Sequence, residues 1–213
     1  MSQWQWARTV DRAGVARYVD ADRAARVANL TLTDSAYDLS AANDGRRRLA
    51  QQIYQGLLAR AEQGQPMAYD RPEYNYEQDI QTIRPPEDVL VSPRQGTCLD
   101  LSLLYAGLCL HYGLLPLVVL LDGHAYVAVS LTHSRSHDQA SGWDSFGRQE
   151  LAAIEQGEGL LTDAAVVAQL IAQGAYLPVE CTGFAYTHKL PDNLPEGQGR
   201  FMGYLSFEQA VVA

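Results

Sequence analysis

A thiol does covalent chemistry as a thiolate with a base in reach, so the three cysteines and five histidines of this chain are where acyl-transfer chemistry could reside. Of the cysteines, Cys98 stands where a helix opens: Gly96-Thr97 makes the turn and an apolar helix is predicted over 97–112. Its side chain then lies in the first turn, where unpaired N–H groups and the helix dipole favour a negative sulfur. Asp100 shares that turn and would oppose a thiolate; it is expected to point elsewhere and cap local backbone amides. Cys109, three turns further along among leucines, and Cys181, in a predicted strand, read as packed small apolar residues. His124 is the preferred base, because it begins a strand returning from a helix–strand connection and Gly123 and Ala125 beside it leave room for close approach. His111 falls at a helix end where a cation suits the dipole, His133 and His137 lie in a polar segment, and His188 follows the last predicted strand.

A helix and a strand must position this pair. On the helix, Leu101, Leu104, Tyr105, Leu108 and Tyr112 share faces, and Gly113 with Pro116 just beyond ends it. Leu117 to Leu121 is a buried-type strand, Asp122-Gly123 a hairpin turn, and His124 to Leu131 the return strand, with His124, Tyr126 and Ala128 on one face. Upstream, Arg46 to Ala61 is an amphipathic helix carrying Leu49, Ile53, Leu57 and Leu58, capped by Asn43 or Asp44 and closed by Gly64 and Pro66. Val10 to Leu30 is helical in pattern but Ala- and Arg-rich, with few large side chains to pack. A polar cluster spans Asp34 to Gly45, and Met67 to Gln78, with Tyr69, Tyr74 and Tyr76, reads as an ordered loop laid over a core. A short helix or turn at 85–88 precedes the tight approach Ser92 to Gly96.

After the return strand, His133 to Gly147 reads as a surface loop, Arg148 to Gln156 and Asp163 to Gln173 as helices, Tyr176 to Thr182 as a third strand, and Leu190 to Gly199 as a loop. The ending SFEQAVVA starts as a capped helix and stops on apolar residues, so the chain is expected to be part of a longer protein. Helices packed on an antiparallel sheet make the fold class α+β.

The 213 residues are enough for one well-buried core, or a core with an appended subdomain. A formal charge of −9 argues against phosphate-backbone binding, and Arg46-Arg47-Arg48 is a single short run on a solvated helix face. The first residues have no signal-peptide core and no stretch of 18 apolar residues occurs, so the expected setting is cytoplasmic, with no membrane partner. Three cysteines without a CxxC pair point to free thiols rather than a disulfide framework or structural zinc; no metal or cofactor is expected.

The stretch IRPPEDVLVSPRQGTCLDLSLLYAGLCLHYGLLPLVVLLDGHAYVAV resembles the core of bacterial transglutaminase-like domains, relatives of the papain-like cysteine proteases. In that group a GTC turn opens a helix, a GHA turn delivers a histidine, and a later strand supplies an acid in a pattern such as PVETT; here the text is Pro178-Val179-Glu180-Cys181-Thr182. The resemblance runs from about Arg46 onward and implies a catalytic domain over 43–213, with 1–42 as an N-terminal helical extension and candidate docking element. It implies a triad of nucleophile Cys98, base His124 and orienting Glu180, the last a longer side chain than the Asp or Asn common in the group. An oxyanion hole would use the Cys98 N–H, with the Gln95 side chain as a second donor whose spacing does not match the papain pattern. The implied activity is that of a cysteine hydrolase acting on peptide or isopeptide bonds of a protein or peptide substrate through a Cys98 thioester. A protein transglutaminase or deamidase, and an inactive binding module of the same fold, are the alternatives, and a role as effector domain of a larger bacterial assembly with partner subunits is a further expectation. No calcium-loop pattern points to a regulated cross-linking enzyme.

Overall fold

A computed structural model describes residues 4–71, 73–75, 77–135, 164–186 and 206–211. The expected helix at 148–156, the loop at 190–199, the polar segment beyond 135, and Tyr76, His137 and His188 lie outside the described residues.

The helix that carries the nucleophile candidate is apolar on every side, and such a helix must be surrounded. It runs Cys98–His111, and every residue from Cys98 to Cys109 is buried. In chain order the strands are β1 Trp4–Ala7, β2 Ala68–Tyr69, β3 Tyr74–Asn75, β4 Ile80–Ile83, β5 Gln95–Gly96, β6 Leu114–Leu121, β7 His124–Ser134 and β8 Tyr176–Val179. The helices are α1 Ala21–Ala28, α2 Ala36–Leu39, α3 Asn43–Glu62, α4 Pro86–Leu90, α5 Cys98–His111, α6 Ala164–Ala172 and α7 Phe207–Ala210. Turns of 3-10 helix cover Ala13–Tyr18 and Cys181–Phe184.

An antiparallel sheet in the order β6-β7-β8 packs on one side of α5, and α1 and α3 pack on the others. Val127, Val129 and Val179 of that sheet join Leu101, Leu104 and Leu108 in one apolar core, which Tyr54 of α3 closes by edge contacts with Tyr105, Phe184 and Phe207. The architecture is α+β with antiparallel sheets; a second sheet, β1-β4-β3, is also antiparallel, and the two-residue pairing of β2 with β5 is parallel.

The hairpin falls where expected: Leu121 pairs with His124, leaving Asp122-Gly123 as a two-residue turn, with Gly123 at φ +73 where glycine avoids the Cβ clash. Both strands are longer than predicted. β6 starts at Leu114, because Pro116 is tolerated at a register shift on an edge strand, and β7 runs on through His133 to Ser134, which moves His133 from loop to strand. The third strand is shorter, ending at Val179, where Glu180 caps the 3-10 turn that follows.

The N-terminal stretch is two helical pieces rather than one, since Asp20 breaks off and caps α1 by accepting from the Arg23 N–H at 3.0 Å. Its shortage of large side chains has a packing reason. Ala24 and Ala28 are buried against α5, and a Cβ on Gly107 would stand 3.1 Å from that of Ala24, so small residues let the helices touch. The polar cluster at 34–45 holds α2 and the first turn of α3, and the tyrosine-rich loop holds β2 and β3. β1 was not expected, although Trp4-Gln5-Trp6 alternates and buries Trp6.

Candidate active site

The start of α5 is a closed capping box. Thr97 Oγ1 accepts from the Asp100 N–H at 3.2 Å and Asp100 Oδ2 accepts from the Thr97 N–H at 2.9 Å, which places Cys98 as the first helical residue. Asp100 therefore points away from the thiol, as expected, and engages Arg84 as well: its Oδ1 accepts from the Arg84 N–H at 2.9 Å and its Oδ2 from Nη1 at 3.2 Å. Burial raises the Asp100 carboxyl above its ordinary value, and the Thr97 and Arg84 donors offset that rise only in part. Cys98 has 8% of its surface exposed. It belongs to an apolar cluster with Trp6, Val15, Leu99, Leu103 and Ala125, so the segment before α1 packs into the same cluster as Cys98.

The hairpin turn delivers His124 to the same end of α5. Nε2 donates to Glu180 Oε2 at 2.6 Å. The other Glu180 oxygen, Oε1, accepts from the Thr182 N–H at 2.9 Å and the Thr182 hydroxyl at 2.7 Å, so the carboxylate is fixed on both sides. Its backbone is held too, because the Glu180 N–H donates to the Ala210 carbonyl at the end of α7. Nδ1 of His124 is buried and has no aligned hydrogen-bond partner among the described residues. The ring also meets the Cys98 thiol, and with Nε2 taken by Glu180, Nδ1 is the nitrogen left for the sulfur; loose thiol–imidazole geometry is usual before substrate arrives. The sulfur and then Glu180 hold the imidazolium, raising His124 to about 10 against the opposing effect of burial. Burial acts to raise Glu180, but the His124 ring and the Thr182 donors outweigh it and leave its carboxyl below the usual range.

Cys98, His124 and Glu180, the three residues joined by the sequence reading, thus form a continuous chain of contacts drawn from helix, hairpin and third strand. No hydrogen bond ties the Gln95 side chain to any of the three; its backbone is committed to the β2–β5 pairing. A second polar group at the sulfur is Tyr69, whose hydroxyl hydrogen-bonds both the Cys98 side chain and the Cys98 backbone. Burial, followed by the neighbouring sulfur, pushes that phenol upward, so it is a hydroxyl and not a phenolate. Sequence reasoning had Tyr69 only as a core-covering aromatic, since nothing local marks a residue 29 positions before Cys98 as its neighbour. Thr182 was legible in principle: a carboxylate two residues before a Thr at a strand end is a common local cap.

The other thiols are sealed in the core. Burial pushes both Cys109 and Cys181 well up, and the Cys181 thiol donates to the Val179 carbonyl at 3.5 Å. His111 lies 3.7 Å from Asp22, at the far end of α5. Among the described residues no group of three or more His, Cys, Asp or Glu side chains is placed to hold a metal ion, and no helix is long and apolar enough to cross a membrane. No family model, curated protein or solved structure matches this chain.

Proposed function

We propose that this chain is a cysteine-dependent acyl-transfer enzyme, a hydrolase of peptide or isopeptide bonds built on the transglutaminase-like plan. One observation carries the reading: a helix-start cysteine meets a histidine whose far nitrogen is held at 2.6 Å by a carboxylate that is itself fixed on both oxygens. A merely structural histidine does not need a second nitrogen kept unbonded and buried beside a thiol.

In the proposed reaction the Cys98 sulfur attacks the amide carbon, the carbon–sulfur bond forms, and the negative charge moves to the carbonyl oxygen. That oxygen would accept from the Cys98 N–H, displacing the Tyr69 oxygen that this N–H meets in the free enzyme, and from the Tyr69 hydroxyl. The carbon–nitrogen bond then breaks as His124 gives its proton to the leaving amine. Water, deprotonated by His124, cleaves the thioester and restores the thiol. Glu180 keeps the ring turned toward sulfur and stabilises its charge throughout.

The test is to trap the thioester. A generic protein substrate is quenched in acid and the intact enzyme is weighed by mass spectrometry, wild type against Cys98→Ala. An acyl adduct on Cys98 that decays to free enzyme is the expected result; adducts absent, or unchanged in Cys98→Ala, would sink the reading. Adding a fluorescent primary amine names the acceptor, since its incorporation into substrate would make the enzyme a transglutaminase rather than a hydrolase.

A further inference from the structure

Arg84 is buried, and a buried guanidinium is tolerated when its N–H groups all find acceptors. Its carboxylate partners come from separate segments. Nη1 donates to Asp100 of α5, and Nη2 donates to Asp70 Oδ2 at 2.8 Å and to Glu73 Oε1 at 3.3 Å. Asp100 has none of its side chain exposed, whereas the side chains of Asp70 and Glu73 are 41% and 59% exposed, so the fork reaches from the interior of the helix start to the loop after β2. Asp70 follows Tyr69, and Asp100 stands two residues after Cys98 in the first turn of the same helix. The backbone runs the same way, with Tyr69 paired to Gly96 and the Asp70 N–H donating to the Gly96 carbonyl at 3.0 Å. β2 is two residues long, too short to hold an angle by its own ladder. A planar cation with fixed donor directions can set that angle where a point charge cannot.

We infer that Arg84 is a positioning residue of the active site: by clamping Asp70 to Asp100 it holds the Tyr69 hydroxyl against the Cys98 sulfur. The inference rests on the proposed acyl-transfer reading. It assigns work to a residue outside the triad and explains why a costly buried cation stands where an apolar side chain could fill the space.

The experiment follows the alkylation of Cys98 by iodoacetamide across pH, resolved by peptide mass, with melting temperature measured in parallel. The titratable groups facing the sulfur are His124 and Tyr69, with Glu180 behind the ring and Asp100 turned away. Tyr69→Phe removes one hydrogen bond to the sulfur and should slow alkylation at neutral pH about fivefold, with the midpoint of the pH profile moved up. Asp70→Ala cuts one arm of the clamp yet leaves Arg84 paired to Asp100, so folding is retained; Arg84→Lys keeps the charge and loses the fork. Both should reproduce the Tyr69→Phe profile, and the double variant Tyr69→Phe/Asp70→Ala should be no slower than Tyr69→Phe alone. Lowered melting temperatures with a wild-type Cys98 profile would overturn the inference, as would additive losses in the double variant or faster alkylation in either clamp variant. Wild-type Cys98 reacting no faster than Cys109 and Cys181 would sink the acyl-transfer reading itself, and the clamp with it.

Discussion

Cys98 and Cys109 sit on the same helix, and the two ends of α5 treat one side chain in opposite ways. At the N-terminal end the thiol meets an imidazole held by Glu180 and a tyrosine hydroxyl, and keeps 8% of its surface open. Three turns on, Cys109 has no exposed surface, stands among Leu104, Leu108 and Tyr105, and is driven toward the neutral thiol by burial. The difference teaches that cysteine chemistry here is set by what converges on the sulfur from elsewhere in the chain. The polar groups at the Cys98 end come from β2, β7 and the stretch after β8; Cys109 meets the Tyr105 hydroxyl of its own helix within an otherwise leucine-rich core.

The largest expected effect breaks this comparison by deleting each sulfur in turn. Cys98→Ala should lower turnover of a cleaved substrate by 10³-fold or more, about what losing a nucleophile costs, while melting temperature stays near wild type. Cys109→Ala should leave kcat/KM within about twofold, because no reacting atom touches it. Equal losses in the two variants would show that the chemistry lies elsewhere. His124→Ala should match Cys98→Ala, since thiol and base act as a unit.

Alkylation sharpens the comparison without a substrate. With iodoacetamide on the folded protein, Cys98 should react at least about 10²-fold faster than Cys109 or Cys181, both buried as neutral thiols. Peptide mapping over a time course checks it, and equal rates would remove the distinction between the two ends.

Glu180→Gln is next in size. A glutamine has one carbonyl oxygen, whereas Glu180 accepts at both oxygens, so either the His124 bond or the Thr182 pair is lost. Turnover should fall roughly 10- to 100-fold, less than for Cys98→Ala. Thr182→Val offers a cross-check: it removes the hydroxyl donor alone and should cost less than Glu180→Gln in the same assay.

The smallest effects are on stability. Cys109→Ser places a hydroxyl in the leucine core and should destabilise by about 1–3 kcal/mol, measured by urea unfolding, whereas Cys98→Ser should stay within about 0.5 kcal/mol. The His124–Glu180 pair gives a pH dependence of known sign. His124 is raised in the folded state to about 10, so its contribution is fully present below the unfolded value near ~6.5 and is lost as pH rises through about 10. Glu180 is lowered in the folded state, so its share is present above the unfolded carboxylate range and is lost as pH falls through the folded value. Unfolding midpoints between pH 6 and 10.5 should therefore decline on the alkaline side, and Glu180→Ala should flatten the decline; an unchanged slope would mean that the pair does not hold the imidazolium.

Much of the site's frame was readable from local pattern. A turn before an apolar helix located Cys98, and the Asp-Gly turn located His124 within a hairpin, because both features depend on neighbours a few residues away. The capping role of Asp100 followed from the same local logic. Boundaries were less accurate where tertiary packing extended an element, as when β7 ran through His133, or broke one, as when Asp20 split the N-terminal helix. The close seat of α1 on α5 was hidden because Ala24 and Gly107 look like weak packers in isolation and become suitable only face to face.

By itself the sequence determined which cysteine could begin a helix, which histidine could end a tight turn, and that α5 must be buried, since these follow from short-range geometry and composition. Tertiary structure alone decided that Tyr69 meets the sulfur, that Thr182 fixes Glu180, and that Arg84 joins the loop after β2 to α5. Those contacts link residues far apart in the chain through side chains of ordinary type, and nothing short of the folded backbone specifies which of many such residues will meet.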